Sequence, residues 1–155
     1  MVAEYCERNP PTIPFVLVPV PGSRVDLGFR DVPRTTMLAN EIASVLASPP
    51  AVRDVLRWES PIPASRSRSG TRDVAFLYDR LRLTGSLTGE RVVLVDDVLA
   101  LGGHLRACAA KVRAGGAEVI LALCAGRADQ IQAHDPFAVR CETLDDFEPC
   151  GQKSE

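Results

Sequence analysis

The stretch from Val92 to Cys124 leaves little freedom in how this chain can fold. Val92–Val95 is a short, unbroken, β-branched apolar run, as expected of a strand covered on both faces. Two adjacent carboxylates, Asp96 and Asp97, end it, and a small-residue loop follows: Ala100, Leu101, Gly102 and Gly103. From His104 a helical period takes over, with Leu105, Cys108, Ala109 and Val112 spaced to share one face. Gly115-Gly116 stops that helix, and Val119–Cys124 is a second apolar strand. Two strands joined through a helix form a βαβ crossover, so the pair is expected to be parallel.

This geometry has chemical consequences. A loop leaving the carboxyl end of a parallel strand and entering a helix presents unpaired N–H groups and a positive dipole end, which suit a phosphate. Glycines let the backbone approach that phosphate closely. Asp96 and Asp97 stand just before the loop, where they can accept hydrogen bonds from sugar hydroxyls and help hold a hydrated Mg2+. Two other readings of the acidic pair stay open. Receiver domains hold magnesium with such a pair, but after the first strand, whereas this one lies beyond the chain's midpoint. Adjacent aspartates also serve simply as turn residues at a sheet end.

Residues 92–104, VVLVDDVLALGGH, resemble the signature of type I phosphoribosyltransferases: apolar strand, Asp-Asp, two apolar residues, then a Thr/Gly-rich phosphate loop. The loop is most similar to that of adenine phosphoribosyltransferases, close to Asp-Asp-Leu-Leu-Ala-Thr-Gly-Gly-Thr. The resemblance implies that Asp96 and Asp97 grip the ribose hydroxyls of phosphoribosyl pyrophosphate and that Ala100, Leu101, Gly102, Gly103 and His104 wrap its 5′-phosphate. Leu101 stands where a Thr is usual and His104 where a second Thr or Ser is usual. Both missing hydroxyls normally donate to the phosphate; backbone donors remain, and His104 can supply one.

The rest of the chain is read around this unit. At 155 residues one domain is expected, spanning the whole chain. Apolar content of 46% and charged content of 25% fit a soluble globular protein. A net charge of −2 leaves no electrostatic footprint for nucleic acid. No run approaches membrane-spanning length and no amino-terminal signal pattern is present, so a cytoplasmic location is expected. Five cysteines without a C-x-x-C pair point to reduced thiols rather than zinc, with Cys108 and Cys124 as small buried hydrophobes.

Residues 1–14 are polar and proline-rich and are expected to form an irregular arm. Phe15–Val18 is a short strand, broken by Pro19, Pro21 and Gly22 into a stiff loop. The loop after this strand contacts pyrophosphate in the resembled family, so Pro21 and Arg24 become site candidates, with Arg24 assisting the leaving group. Val-Pro-Val-Pro also resembles the entry of competence-associated phosphoribosyltransferase homologues. Residues 33–48 read as a helix with Leu38, Ile42 and Val45 on its apolar face, and Val55–Trp58 as a strand, Trp58 being a packing residue. Ser60–Thr71, rich in Pro, Ser and Arg, occupies the place of the family's mobile loop; Arg66, Arg68 and Arg72 are candidates for the pyrophosphate. A plain solvated loop is the equal alternative.

Thr71 is expected to cap a helix over Arg72–Leu81 with a Val74, Leu77, Tyr78 and Leu81 stripe. Arg127 and Asp129 lie at the carboxyl end of the strand after the phosphate-loop helix, beside the site in an open parallel sheet. Residues 129–155 are expected to form a short extension with a strand near Phe137–Cys141, a reduced version of the hood that covers the base in the family. Phe137 and Phe147 are possible base-stacking residues, with ordinary packing the simpler reading of each.

The expected fold is therefore α/β, a Rossmann-like, mainly parallel sheet flanked by helices. The activity the resemblance implies is Mg2+-dependent transfer of a phosphoribosyl group to a nitrogenous base, a purine favoured, by a cytoplasmic protein that is a homodimer in many relatives. A sensor of phosphoribosyl pyrophosphate or nucleotide without transfer, and an accessory role in DNA uptake, are the alternatives.

Overall fold

A computed structural model describes residues 14–22, 32–60, 62, 73–128 and 140–149. Four parallel strands form the main sheet: β1 (Val16–Pro19), β2 (Ala51–Val52), β5 (Arg91–Leu99) and β6 (Glu118–Arg127), in the order β2-β1-β5-β6. Two further strands, β3 (Leu56–Trp58) and β4 (Leu81–Leu83), make a separate antiparallel pair. The helices among the described residues are α1 (Arg34–Val45), α2 (Val74–Arg80) and α3 (Gly103–Ala114).

Alternation along β1 and β5 divides the core in two. Val16, Val18, Val92 and Leu94 face a large cluster with Leu77 of α2, Leu105, Cys108 and Val112 of α3, and Leu56, Trp58 and Leu81 of the antiparallel pair. Leu17, Val93 and Val95 face Ala39, Ile42 and Ala43 of α1, together with Leu123 of β6. Helices thus cover both faces, which is why the strand sequences read as continuous apolar runs.

Several expectations are corrected at this level. The central strand does not end at the acidic pair. Its ladder with β6 continues through Asp96 opposite Cys124, Val98 opposite Gly126 and Leu99 opposite Arg127, so hydrogen bonding to a long neighbour carries it four residues beyond Val95. In α1 the buried residues are Thr35, Thr36, Ala39, Ile42 and Ala43, whereas Val45 is 50% exposed and Leu38 is only half-buried. Ile42 is buried as expected, but small side chains, rather than Leu38 and Val45, fill the rest of the buried face and let this helix approach the sheet. The cap of α2 is Asp73 and not Thr71: its carboxylate accepts from the Ala75 and Phe76 N–H groups at 2.9 and 3.3 Å. Asp73→Ala is expected to cost about 1 kcal/mol in urea unfolding, with the midpoint rather than the slope moving. The short β4 is not expected from the sequence, because Leu81 completes the helical stripe of Val74, Leu77 and Tyr78. Residues 140 and 141, the described end of the strand expected near Phe137–Cys141, have no regular structure.

The chain runs from β1 to β2 on one side of the sheet and through β5 to β6 on the other. Strand order therefore reverses between β1 and β5. In an open parallel sheet the crevice outside the carboxyl ends at such a reversal is where ligands bind.

Candidate functional site

At that reversal, Pro19 pairs with Val95 and the Val20 N–H donates to the Val95 carbonyl at 2.8 Å, holding the loop after β1 against the segment that bears Asp96 and Asp97. Pro21 is brought to the same place: its carbonyl accepts the Trp58 indole N–H at 3.0 Å. The Trp58 ring in turn lies 5.6 Å from the His104 ring, centroid to centroid, with the planes tilted by 51°. Pro21, Trp58 and His104 thus form one wall linking the loop after β1 to the start of α3. Trp58 packs as expected, and it does so at the edge of the site.

Asp96 is 9% exposed, and its Oδ1 accepts the Asp97 N–H at 2.9 Å. Burial pushes its carboxyl up to about 6; the Asp97 N–H works against the rise, and the neighbouring Asp97 charge adds to it. Asp97 is half-buried. Cys124, opposite Asp96 on β6, is half-buried beside the pair, and its thiol is pushed up to about 12 by burial, then by the charges of Asp96 and Asp97. It is an inert neighbour of the site, as a protonated thiol there must be. Cys108 is fully buried, as expected of a small core residue, and burial raises its thiol strongly.

The loop then turns through Gly102, whose φ of +75° lies in the left-handed region. Among the described residues no side chain caps α3 and no acidic residue stands in its first turn, which leaves its first N–H groups without a cap of that kind. A Cβ at Gly102 would lie 2.8 Å from Cδ1 of Leu144. Gly102→Ala is expected to destabilise by about 1–2 kcal/mol, chiefly through the positive φ, since the Leu144 methyl can swing aside. Adding Leu144→Ala should recover only the contact part in urea unfolding.

His104 is the second residue of α3 and is half-buried; burial lowers its pKa, so the ring is neutral near pH 7. Leu101 is 59% exposed at the tip of the loop. Arg127 has specific partners: its guanidinium donates to the Leu99 carbonyl at 3.3 Å, to the Ala100 carbonyl, and to Glu142 at 2.9 Å. Arg24, Arg66, Arg68, Arg72, Asp129 and Phe137 lie outside the described residues. Phe147 packs on Tyr78 with ring centroids 5.7 Å apart, a core contact rather than a base platform.

The segment 140–149, expected to belong to a reduced hood, lies against the loop and α3, and no sequence signal of its own places it there. Leu144 lies on Gly102, the Asp145 carbonyl accepts from the Arg106 guanidinium at 2.7 Å, and Asp146 pairs with Arg113 at 2.8 Å. Its sequence shows only an acidic ending, and nothing periodic marks Glu142 or Leu144 as neighbours of the loop.

The model of the phosphoribosyl transferase domain matches residues 34–152, well over half of the chain. The chain belongs to the phosphoribosyl transferase domain family. An adenine phosphoribosyltransferase from Sphingopyxis alaskensis is 46% identical over 74 residues, covering 43% of this chain and 39% of that protein. Two crystal forms of a hypoxanthine phosphoribosyltransferase from Staphylococcus aureus superpose with TM-scores of 0.47 and 0.45, at 11% and 13% identity; each comparison covers 86% of this chain and 65% of theirs. The matched part is about two-fifths of the length of the curated relative and just under two-thirds of the solved chains. Within this phosphoribosyl transferase domain, no helix of the described residues is long and apolar enough to cross a membrane.

Proposed function

We propose that this phosphoribosyl transferase domain binds phosphoribosyl pyrophosphate and transfers its phosphoribosyl group to a nitrogenous base, with a purine favoured. One observation carries the reading: the acidic pair and an uncapped helix start entered through a left-handed glycine stand together where strand order reverses. The purine preference rests on the adenine phosphoribosyltransferase similarity, which covers part of each chain.

In this reading the 5′-phosphate takes the N–H groups of residues 101–104 and the favourable end of α3. Asp97, with Asp96 behind it, accepts hydrogen bonds from the ribose hydroxyls. The bond from the ribose C1 to the pyrophosphate oxygen breaks, a base nitrogen bonds to C1, and the base gives up a proton. The chain contributes position and electrostatics rather than a covalent intermediate. Pro21 and the loop after β1 border the pyrophosphate side, and Arg24, Arg66 and Arg68 are assigned to it.

No cluster of three or more metal-ligating side chains exists among the described residues. Two carboxylates are nevertheless a sufficient protein contribution for Mg2+, which keeps waters and shares substrate oxygens. Asp96 and Asp97 would hold it, and it would neutralise charge on the pyrophosphate. This predicts that metal affinity is weak without the diphosphate substrate.

Calorimetric titration with phosphoribosyl pyrophosphate, with and without Mg2+, followed by turnover with adenine and hypoxanthine, tests the reading. Metal-dependent binding with release of pyrophosphate is expected; a folded protein that binds nothing overturns it. The exposed Leu101 and the His104 ring turned onto Trp58 favour a second reading, a sensor that binds without transfer. Binding without turnover on any base would select it.

A further inference from the structure

Two carbonyls of the loop point the same way. Leu99 O accepts from the Ala128 N–H at 2.9 Å and from the Arg127 guanidinium at 3.3 Å, and Ala100 O accepts from the same guanidinium nitrogen. In a trans peptide the C=O and the N–H of one plane point in opposite directions. Turning these two carbonyls towards Arg127 therefore turns the N–H groups of Ala100 and Leu101 away from it. Glu142 meets the other edge of the guanidinium, at Nε, 2.9 Å away, and both side chains are about a third exposed. Leu144, two residues on, packs against Gly102, and the Asp145 carbonyl takes the Arg106 guanidinium. The acidic segment and the end of β6 thus hold the loop from outside the crevice.

We propose that Arg127 and Glu142 form a positioning pair that sets the peptide planes of residues 99–101, aiming the loop's N–H groups at the phosphate. Arg127 acts through the backbone and does not itself contact the substrate. Guanidinium geometry suits this role, because its planar fork serves two carbonyls and a carboxylate at once, which a lysine ammonium on a flexible stem does not. The proposal rests on the function proposed above for the identity of the anion; the placement of the loop by Arg127 does not depend on it.

The test compares wild type with Arg127→Met, Arg127→Lys and Glu142→Ala, each checked for folding by urea unfolding. Glu142 lies outside the sheet, so its removal keeps the proposal testable if an Arg127 variant does not fold. Backbone 15N order parameters of residues 100–104 are measured in ligand-free protein, and affinity for inorganic phosphate and phosphoribosyl pyrophosphate by calorimetry. The expected result is a fall of the loop order parameters from about 0.85 towards 0.6 or below, with β5 and β6 unchanged. Phosphate affinity should fall by about tenfold or more in Arg127→Met, less in Glu142→Ala, with only partial rescue by Lys. Unchanged order parameters overturn the proposal, and if affinity still falls, Arg127 is instead a direct ligand. Looser loops with unchanged affinity also overturn it. If wild type binds neither ligand, the function proposed above fails, and the order parameters alone decide whether the pair positions the loop.

Discussion

Asp97→Asn is expected to lower kcat/KM for phosphoribosyl transfer by about 10²- to 10³-fold while leaving the unfolding midpoint nearly unchanged. A carboxylate accepting from ribose hydroxyls makes charge-assisted hydrogen bonds worth about 1.5–3 kcal/mol each, and about 1.4 kcal/mol is a factor of ten in rate. Asn keeps the size and one acceptor oxygen but loses the charge that such bonds and a shared Mg2+ require. Stability is spared because Asp97 is half-buried and its structural bond, from its N–H to Asp96 Oδ1, belongs to the backbone. Turnover at the wild-type rate would remove Asp97 from the sugar site.

Asp96→Asn should act in the opposite sense on stability. Burial raises the Asp96 carboxyl from its ordinary value of 3.8 to about 6, so the folded state holds this proton more tightly than the unfolded chain does. Below about pH 3 the group is protonated in both states and has no effect. As pH rises from 4 through 6, folded protein must give up a proton it prefers to keep, and stability falls. By pH 7 this amounts to about 3 kcal/mol against the fold. In chelator-treated, ligand-free protein, Asp96→Asn is expected to be more stable than wild type at pH 7 by up to that amount, and about equal at pH 3. Urea midpoints across this range read the effect directly. The same variant should lose transfer activity, the trade expected where a charge is kept buried for function. A stability difference between Asp96→Asn and wild type that does not open between pH 3 and 7 would show that Asp96 does not titrate upward in the fold.

Both predictions concern residues that the sequence singles out, and that is no accident of this site. Local chemistry writes the unit from Val92 to Cys124 openly: a β-branched run, an acidic pair, small loop residues, a helical period and a glycine stop. Each signal is carried by neighbours along the chain, so no long-range contact is needed to read it. The structure keeps those elements and their parallel order, and moves only their ends, because an edge such as Asp96–Leu99 is decided by the ladder with β6.

Elsewhere local signals were misleading or mute. In α1, Leu38, Ile42 and Val45 look like the apolar face; Ile42 is buried, but Thr35, Ala39 and Ala43 make up the rest of that face, because close approach to the sheet rewards small side chains. Trp58 gave a correct packing expectation, but its bond to the Pro21 carbonyl spans 37 positions and its ring neighbour His104 lies farther still along the chain. Arg127 is a site candidate from its place at a strand's carboxyl end, and only the fold shows that it also holds the loop carbonyls and Glu142.

By itself, the sequence determined the α/β class, the unit of strand, acidic pair, glycine loop and helix, and membership of the phosphoribosyl transferase domain family, since periodicity, turn residues and motif spacing are local properties. Tertiary structure decided what surrounds that loop: the reversal of strand order between β1 and β5, the Pro21–Trp58–His104 wall, the buried state of Asp96 and the return of segment 140–149 onto Gly102. The physical reason is that hydrogen-bond partners and burial depend on which distant segments share the same space, and no window along the chain contains both members of such a pair.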